Sequence, residues 1–171
     1  MKGEKVFLRA VEPTDLDVIF RWENDQENWL VSNTFNPFSK NVLEQYVFSA
    51  HDLMKDGQVR MMICSADGLK PVGAIDLFEL DMAHRRVGVG ILLDKLFRGK
   101  GMATEALQLL TAHCFDNLGL HQVFCNILAE NAESIKLFTG VGFDLVGVKK
   151  DWLWHKGEWK HEHLYQLINP N

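Results

Sequence analysis

Leu92-Leu93-Asp94-Lys95-Leu96-Phe97-Arg98-Gly99-Lys100-Gly101-Met102-Ala103-Thr104 is the stretch whose reading decides the fold. An apolar run enters a turn carrying glycine at two positions, and Ala103, Leu107, Leu110 and Cys114 then recur at helical spacing, with Ala106 and Leu118 near the same stripe. The spacing predicts a strand ending near Leu93 and an amphipathic helix over 101–118, stopped by Gly119. Backbone N–H groups at a helix start lack intrahelical partners and sit at the positive end of the helix dipole. With little side-chain bulk at Gly99, Gly101 and Ala103, and with Arg98 and Lys100 adding charge, such a turn can cradle a phosphate. It is not a Walker loop, and Thr104 stands where a dinucleotide fingerprint needs its third glycine.

Working outward, residues 87–93 read as a strand in which Gly88 and Gly90 signal a bulge or a close approach by another backbone or ligand. Upstream, residues 59–65 and 72–80 read as strands joined by the turn-forming run Ala66-Asp67-Gly68-Leu69-Lys70-Pro71. Val6-Phe7-Leu8 is a short strand, and Glu12-Pro13-Thr14-Asp15 carries capping residues ahead of a helix through Val18, Ile19 and Trp22. Residues 24–38 read as a loop, and Ser39 opens a second helix through Leu43, Val47 and Leu53. Downstream come a strand over 122–128, a short helix over 132–139 and closing strands over 143–148 and 164–168. The order is mixed α/β (α+β), and 171 residues without repeat or linker fit a single domain over 1–171.

Composition narrows the function classes. Eighteen Lys plus Arg against 23 Asp plus Glu give a net charge of -5, which disfavours a broad phosphate-backbone binder, so no nucleic acid is expected. Cys64, Cys114 and Cys125 are odd in number and sit in apolar runs, so they read as buried thiols. No window suits a membrane span or a leader, and a cytoplasmic protein with no membrane partner is the expectation.

The residues already quoted carry a resemblance. Arg98-Gly99-Lys100-Gly101-Met102-Ala103 fits the Arg/Gln-x-x-Gly-x-Gly/Ala signature of the GNAT N-acyltransferases. Asn131-Ala132-Glu133-Ser134-Ile135 followed by Val141-Gly142-Phe143 resembles that family's later segment, and the similarity runs from Leu8-Arg9 to the C-terminal strands. The chain resembles the spermidine N-acetyltransferases and the ribosomal-protein N-terminal acetyltransferases of that family. The resemblance implies the GNAT fold, a mostly antiparallel sheet splayed at the acetyl-CoA-binding strand and flanked by about four helices. It also implies acetyl-CoA as cosubstrate, no metal, and a homodimer or larger assembly. Ile91, Leu92 and Leu93 would pair with the pantetheine arm and residues 98–103 would hold the pyrophosphate. Asn131, Ser134 and Phe138 would border the acyl end, and the backbone N–H of Leu92 would stabilise the oxyanion. Asn131 reads equally as a helix cap.

Two positions depart from the family pattern. Phe138 stands where a tyrosine commonly protonates the leaving thiolate, and Gly88 where many relatives carry a glutamate base. Asp76 and Glu79, in Ile75-Asp76-Leu77-Phe78-Glu79-Leu80-Asp81, are the candidate bases, with Asp76 preferred; their odd spacing puts them on opposite faces of a strand unless a bulge intervenes. His84 reads as an exposed turn residue, and His161 with His163 as a pair lacking a third metal ligand. Trp152, Trp154 and Trp159 around Lys156-Gly157-Glu158 read as sheet or dimer packing, or as an acceptor wall.

The charge is unevenly placed: residues 1–84 hold 14 acids and 8 bases, and residues 85–171 hold 9 acids and 10 bases. Asp15, Asp17, Glu23, Asp25 and Glu27 form an acidic run that would attract a cationic amine. The run Ser32-Asn33-Thr34-Phe35-Asn36-Pro37 lacks the acids that spermidine enzymes carry there. The expected acceptor is therefore a primary amine, either a polyamine such as spermidine or another small amine. The alternatives are a protein N-terminus and a non-catalytic acyl-CoA sensor.

Overall fold

The computed structural model describes every residue except Asn33, Ala50 and Asn171. The chain runs β1 (Val6–Ala10), a 3-10 turn, α1 (Leu16–Glu23), α2 (Gln26–Ser32), α3 (Lys40–Phe48), α4 (Leu53–Asp56), β2 (Val59–Ser65), β3 (Pro71–Asp81) and β4 (Arg86–Leu93). It continues through a second 3-10 turn, α5 (Met102–Asp116), β5 (Gln122–Leu128), α6 (Ala132–Val141), β6 (Asp144–His155) and β7 (Glu158–Ile168). The strands form one sheet in the order β1-β2-β3-β4-β5-β7-β6, antiparallel throughout except where β4 meets β5.

Alternation along the strands supplies two cores. Ile63, Ile75, Val87, Val89, Val123 and Cys125 face α5 and α6 and pack with Leu107, Leu110 and Phe138. Their sequence neighbours Met62, Cys64 and Ala74 face the other way and pack with Ile19, Trp22, Leu43 and Val47 of α1 and α3. That second cluster holds no described residue of β5, β6 or β7, so the packing of α1 and α3 is confined to the other half of this face. Of the predicted stripe on α5, Ala106, Leu107, Leu110 and Cys114 are buried and Ala103 is half-buried, and Thr111 is buried beside them. Burying each leucine contributes about 1.5–3 kcal/mol, so Leu107→Ala, at a fully buried site, would cost about 2–5 kcal/mol. All three cysteines are free and buried, and burial pushes the Cys114 thiol up to about 12.

Three element expectations are corrected. Residues 24–38 contain α2. The helix expected to reach Leu53 stops at Phe48, because Ser49 turns extended and both its N–H and its hydroxyl donate to the Tyr46 carbonyl; Asp52 then caps the separate α4. Among the described residues six α-helices, one of them a single turn, therefore flank the sheet in place of about four. The closing strands are also longer than their apolar runs, at 12 and 11 residues, and the hairpin turn falls at Lys156-Gly157 as the sequence predicts. No described helix is long and apolar enough to cross a membrane.

Candidate active site

Strand β4 pairs with β5 at only three positions, Arg86 with Gln122, Val87 with Val123 and Gly88 with Phe124. On its other edge β4 stays paired with β3 as far as Gly73 and Leu93. The two parallel strands therefore separate beyond Gly88 and Phe124, leaving an open edge along residues 89–93. This is the splay that the resemblance implies, and Ile91, Leu92 and Leu93 all lie on it.

The phase of the pairing decides which amides face the opening. Asp94 N–H donates to the Val72 carbonyl at 2.9 Å, and the Leu92 carbonyl lies 2.3 Å from where a Cβ on Gly73 would stand. In an antiparallel ladder, alternate residues turn both backbone groups to the same neighbour. Gly88, Gly90 and Leu92 thus address β3, while Val89, Ile91 and Leu93 address the opening. The expectation that the Leu92 N–H serves there is corrected to the amide of Ile91, because Leu92 is committed to β3.

At the C-terminal end of β4 the predicted turn takes the expected form. Gly99 and Gly101 have φ of +73° and +77°, a region that disfavours side chains, and Gly101 is the N-cap of α5. The first helical bond runs from Glu105 N–H to the Gly101 carbonyl at 3.1 Å, which leaves the Met102, Ala103 and Thr104 amides without intrahelical partners. A Cβ on Gly99 would meet nothing within 4 Å, whereas one on Gly101 would stand 2.7 Å from the Lys5 ammonium. Lys100 donates to the Leu96 carbonyl, and Arg98 donates to the Leu93 carbonyl at 3.1 Å and reaches Glu133 of α6 at 3.6 Å. The sequence reading missed Glu105, whose carboxylate accepts the amides of Glu4, Lys5 and Val6 at 3.0, 2.8 and 2.8 Å and ties β1 to the base of α5. Burial opposes its charge, and those amides still hold it below the usual carboxylate range.

A cavity of about 300 Å³ adjoins this turn, lined by Arg21, Asp25, Asp94, Lys95 and Arg98 among others, a net charge of one positive unit. Asp94 anchors it by accepting from Trp22 and Arg21 of α1 at 3.1 and 2.9 Å. Burial works against the Asp94 charge, but these donors keep its carboxyl low.

On α6, Asn131 caps the helix by accepting the Ser134 amide at 3.1 Å, so its capping reading holds. Phe138, 3% exposed, lies edge-on to Phe143 with centroids 5.0 Å apart. Its ring is core packing, which corrects its placement as a cofactor contact.

At the closed end of the splay the glycines of β4 have a side-chain explanation. A Cβ on Gly88 would stand 2.3 Å from the Phe78 ring, and one on Gly90 would be 3.7 Å away. Phe78 lies across this strand and meets Phe124 of β5 edge-on at 6.0 Å. The ring therefore occupies the place where a side chain at residue 88 would project.

The two candidate bases have different fates. Asp76 accepts Arg60 Nε and Nη2 at 2.7 and 2.9 Å, and Arg60 also donates to Glu23. Burial disfavours the Arg60 charge, yet Asp76 and Glu23 hold it firmly protonated. Asp76 is thus one arm of a structural ion triad joining β2, β3 and the end of α1. Glu79 sits where the β3–β4 register shifts, with φ of +52°, exposed and without an ion-pair partner among the described residues. With Leu80, Asp81, Arg86, Gln122, Phe124, Leu164 and Gln166 it lines a cavity of about 660 Å³ on the face opposite α5 and α6. The preference for Asp76 is accordingly reversed in favour of Glu79.

The acidic rim is also corrected. Asp15 pairs with Arg9, Asp17 with Lys40, Glu23 with Arg60, and both Asp25 and Glu27 with Lys95. Every acid of the run is thus paired in space, with Asp25 and Glu27 sharing Lys95. Asn33, in the stretch said to lack acids, falls outside the described residues. His84 is an exposed turn residue as expected, and His161 Nδ1 accepts the Asp151 amide at 3.0 Å. No group of three His, Cys, Asp or Glu side chains suited to a metal occurs among the described residues.

Comparison with known proteins places this geometry. The chain is 24% identical to a probable N-acetyltransferase, YjcK, of Bacillus subtilis over 100% of this chain and 98% of that protein. It is 26% identical to the spermidine N(1)-acetyltransferase of Escherichia coli K12, covering 85% of this chain and 76% of that one. The crystal structure of spermidine N-acetyltransferase from Vibrio cholerae in complex with CoA and spermine superposes with a TM-score of 0.84 at 21% identity, covering 97% and 96% of the two chains. The model of the acetyltransferase (GNAT) domain matches residues 5–144, and the chain belongs to the GNAT acetyltransferase family.

Proposed function

We propose that this acetyltransferase is an acetyl-CoA-dependent N-acetyltransferase that acts on a primary amine by direct attack. The observation that carries the reading is the parting of β4 from β5 beyond Gly88 and Phe124, immediately before a glycine turn that opens α5. Acetyl-CoA, when bound, supplies a thioester-activated acetyl group. The open edge of Ile91 and Leu93 would hold its extended arm by strand-like hydrogen bonds, with the Leu92 side chain alongside. The amides of Met102 and Ala103, with Gly99, Gly101, Arg98 and Lys100, would hold its phosphates. Asn131 and Ser134 would border the arm from α6. The Ile91 N–H would face the oxyanion, and Glu79 would accept the amine proton.

The name of the E. coli relative supports an amine acceptor. The pairing of the rim acids with Arg9, Lys40, Arg60 and Lys95 favours another small amine over a polyamine. On the β6–β7 hairpin, Trp152, Trp154 and Trp159 are 57%, 58% and 56% exposed, which supports a homodimer or larger assembly through that face, to be checked by sedimentation.

Calorimetry with acetyl-CoA and a thiol-release assay across an amine panel test the function. Saturable binding below about 1 mM with amine-dependent release is expected. Absence of binding at millimolar ligand would overturn it.

A further inference from the structure

We propose that the cavity at the closed end of the splay receives the acceptor as a monocation with a neutral, hydrogen-bonding tail, and that it discriminates against polyamines. This rests on the N-acetyltransferase reading above. The cavity adjoins the last β4–β5 pair, Gly88 and Phe124, on the face opposite α5 and α6, so an amine held in it would approach the place where the strands part.

Its charged lining residues are Glu79, Asp81 and Arg86, a net of one negative unit. Asp81 is already engaged, pairing with Arg86 at 3.1 Å and accepting the His84 amide at 2.9 Å. Glu79 alone among them lacks an ion-pair partner, and a single ammonium matches it. A second ammonium further along the cavity would meet the Asp81–Arg86 pair, which offers it no unpaired carboxylate before β5. The acids of α1 and α2, Asp17, Glu23 and Glu27, are engaged with Lys40, Arg60 and Lys95 and are not among the lining residues of this cavity.

Beyond Arg86 the lining becomes neutral. Gln166 Nε2 donates to Gln122 Oε1 at 2.8 Å, which leaves the Gln122 amide N–H groups and the Gln166 carbonyl oxygen for a partner. One donor beside one acceptor is the complement of an amide or hydroxyl group. Phe124 and Leu164 supply apolar wall between the two ends. Strands β3 and β5 lie two spacings apart, about 10 Å, so a short chain of methylenes separates amine from polar group.

The experiment measures CoA release at saturating acetyl-CoA with 5-aminopentanamide, pentylamine, 1,5-diaminopentane and spermidine. The aminoamide is expected to give the highest kcat/KM, and the diamine and spermidine values at least about tenfold lower. Gln166→Leu should bring the aminoamide and pentylamine within about twofold while acetyl-CoA affinity, read by calorimetry, stays unchanged. Gln166→Glu, which adds a second carboxylate, should raise the diamine value about tenfold. A wild-type preference for the diamine or spermidine, or ratios indifferent to both substitutions, would overturn the proposal. Acetyl-CoA binding without release for any of the four amines would overturn this acceptor assignment alone, and absence of acetyl-CoA binding would overturn the function with it.

Discussion

The two ends of β4 are built on different principles. At its C-terminal end the site is backbone, made of glycines with positive φ, helix-start amides and an open strand edge, all supplied by one contiguous stretch of chain. At its N-terminal end the site is side chain, made of Glu79 from a bulge on β3, Arg86 from β4, and Gln122, Phe124, Leu164 and Gln166 from two further strands. A backbone site binds what every member of a family shares, and a side-chain site can change without disturbing it. The charges agree, one end carrying a net positive lining and the other a net negative one.

The sharpest way to break this comparison is at Glu79. Glu79→Gln keeps shape and removes the proposed proton acceptor, so kcat/KM for the amine should fall about 10²–10⁴-fold at pH 7. Steady-state release of CoA checks this. At the other end, Gly101→Val forces a β-branched residue to positive φ and directs its Cβ at the Lys5 ammonium, 2.7 Å away. Affinity for acetyl-CoA should drop about 10- to 100-fold by calorimetry, and Gly101→Ala should lose less. Asp76→Asn tests the discarded base. It breaks the bidentate pair with Arg60 and should cost about 1–3 kcal/mol in chemical unfolding, while kcat/KM for the amine changes by less than about threefold. The smallest effect runs the opposite way. Glu79→Gly relieves a φ of +52° and should leave the fold as stable or up to about 1 kcal/mol more stable, even as the amine reaction is lost.

Acid provides a further contrast, distant from both ends. Burial raises the Asp15 carboxyl, but the Arg9 guanidinium and the Glu12 amide overcome this and hold it below its usual 3.8. A carboxyl lowered on folding contributes stability that is complete above its ordinary value and is lost as pH falls through the folded one. Arg9→Gln should therefore flatten the decline of unfolding free energy below about pH 4, measured by denaturant titration at several pH values.

The contrast between the ends also explains what the sequence could disclose. The form of the turn at Arg98-Gly99-Lys100-Gly101 was legible because it follows from the local backbone. So were β5, predicted at its observed bounds of Gln122–Leu128, and the α5 stripe, because period and punctuation are local properties. The Arg60–Asp76 pair was not, for a definite reason. Counted back from the turn at Ala66-Asp67-Gly68, an unbroken hairpin with Cys64 opposite Pro71 would set Arg60 against Ile75. A register shift between Ile63 and Cys64 moves it opposite Asp76 instead. Glu79 was hidden by a second shift after Phe78, which re-aims a side chain that strict alternation places otherwise. Gly88 looked like a lost catalytic residue, but the Phe78 ring that fills its space comes from the neighbouring strand. The five acids from Asp15 to Glu27 misled most, since their partners Arg9, Lys40, Arg60 and Lys95 are distributed over the fold. Net charge along a sequence states nothing about pairing across it.

The claim that most needs testing is that the two ends of β4 act separately. Titration of acetyl-CoA into Glu79→Gln by calorimetry tests it most directly. The account predicts an affinity within about twofold of wild type, despite the loss of turnover. A loss of acetyl-CoA affinity comparable to that of Gly101→Val would contradict it, because Glu79 would then belong to the cofactor end of the site.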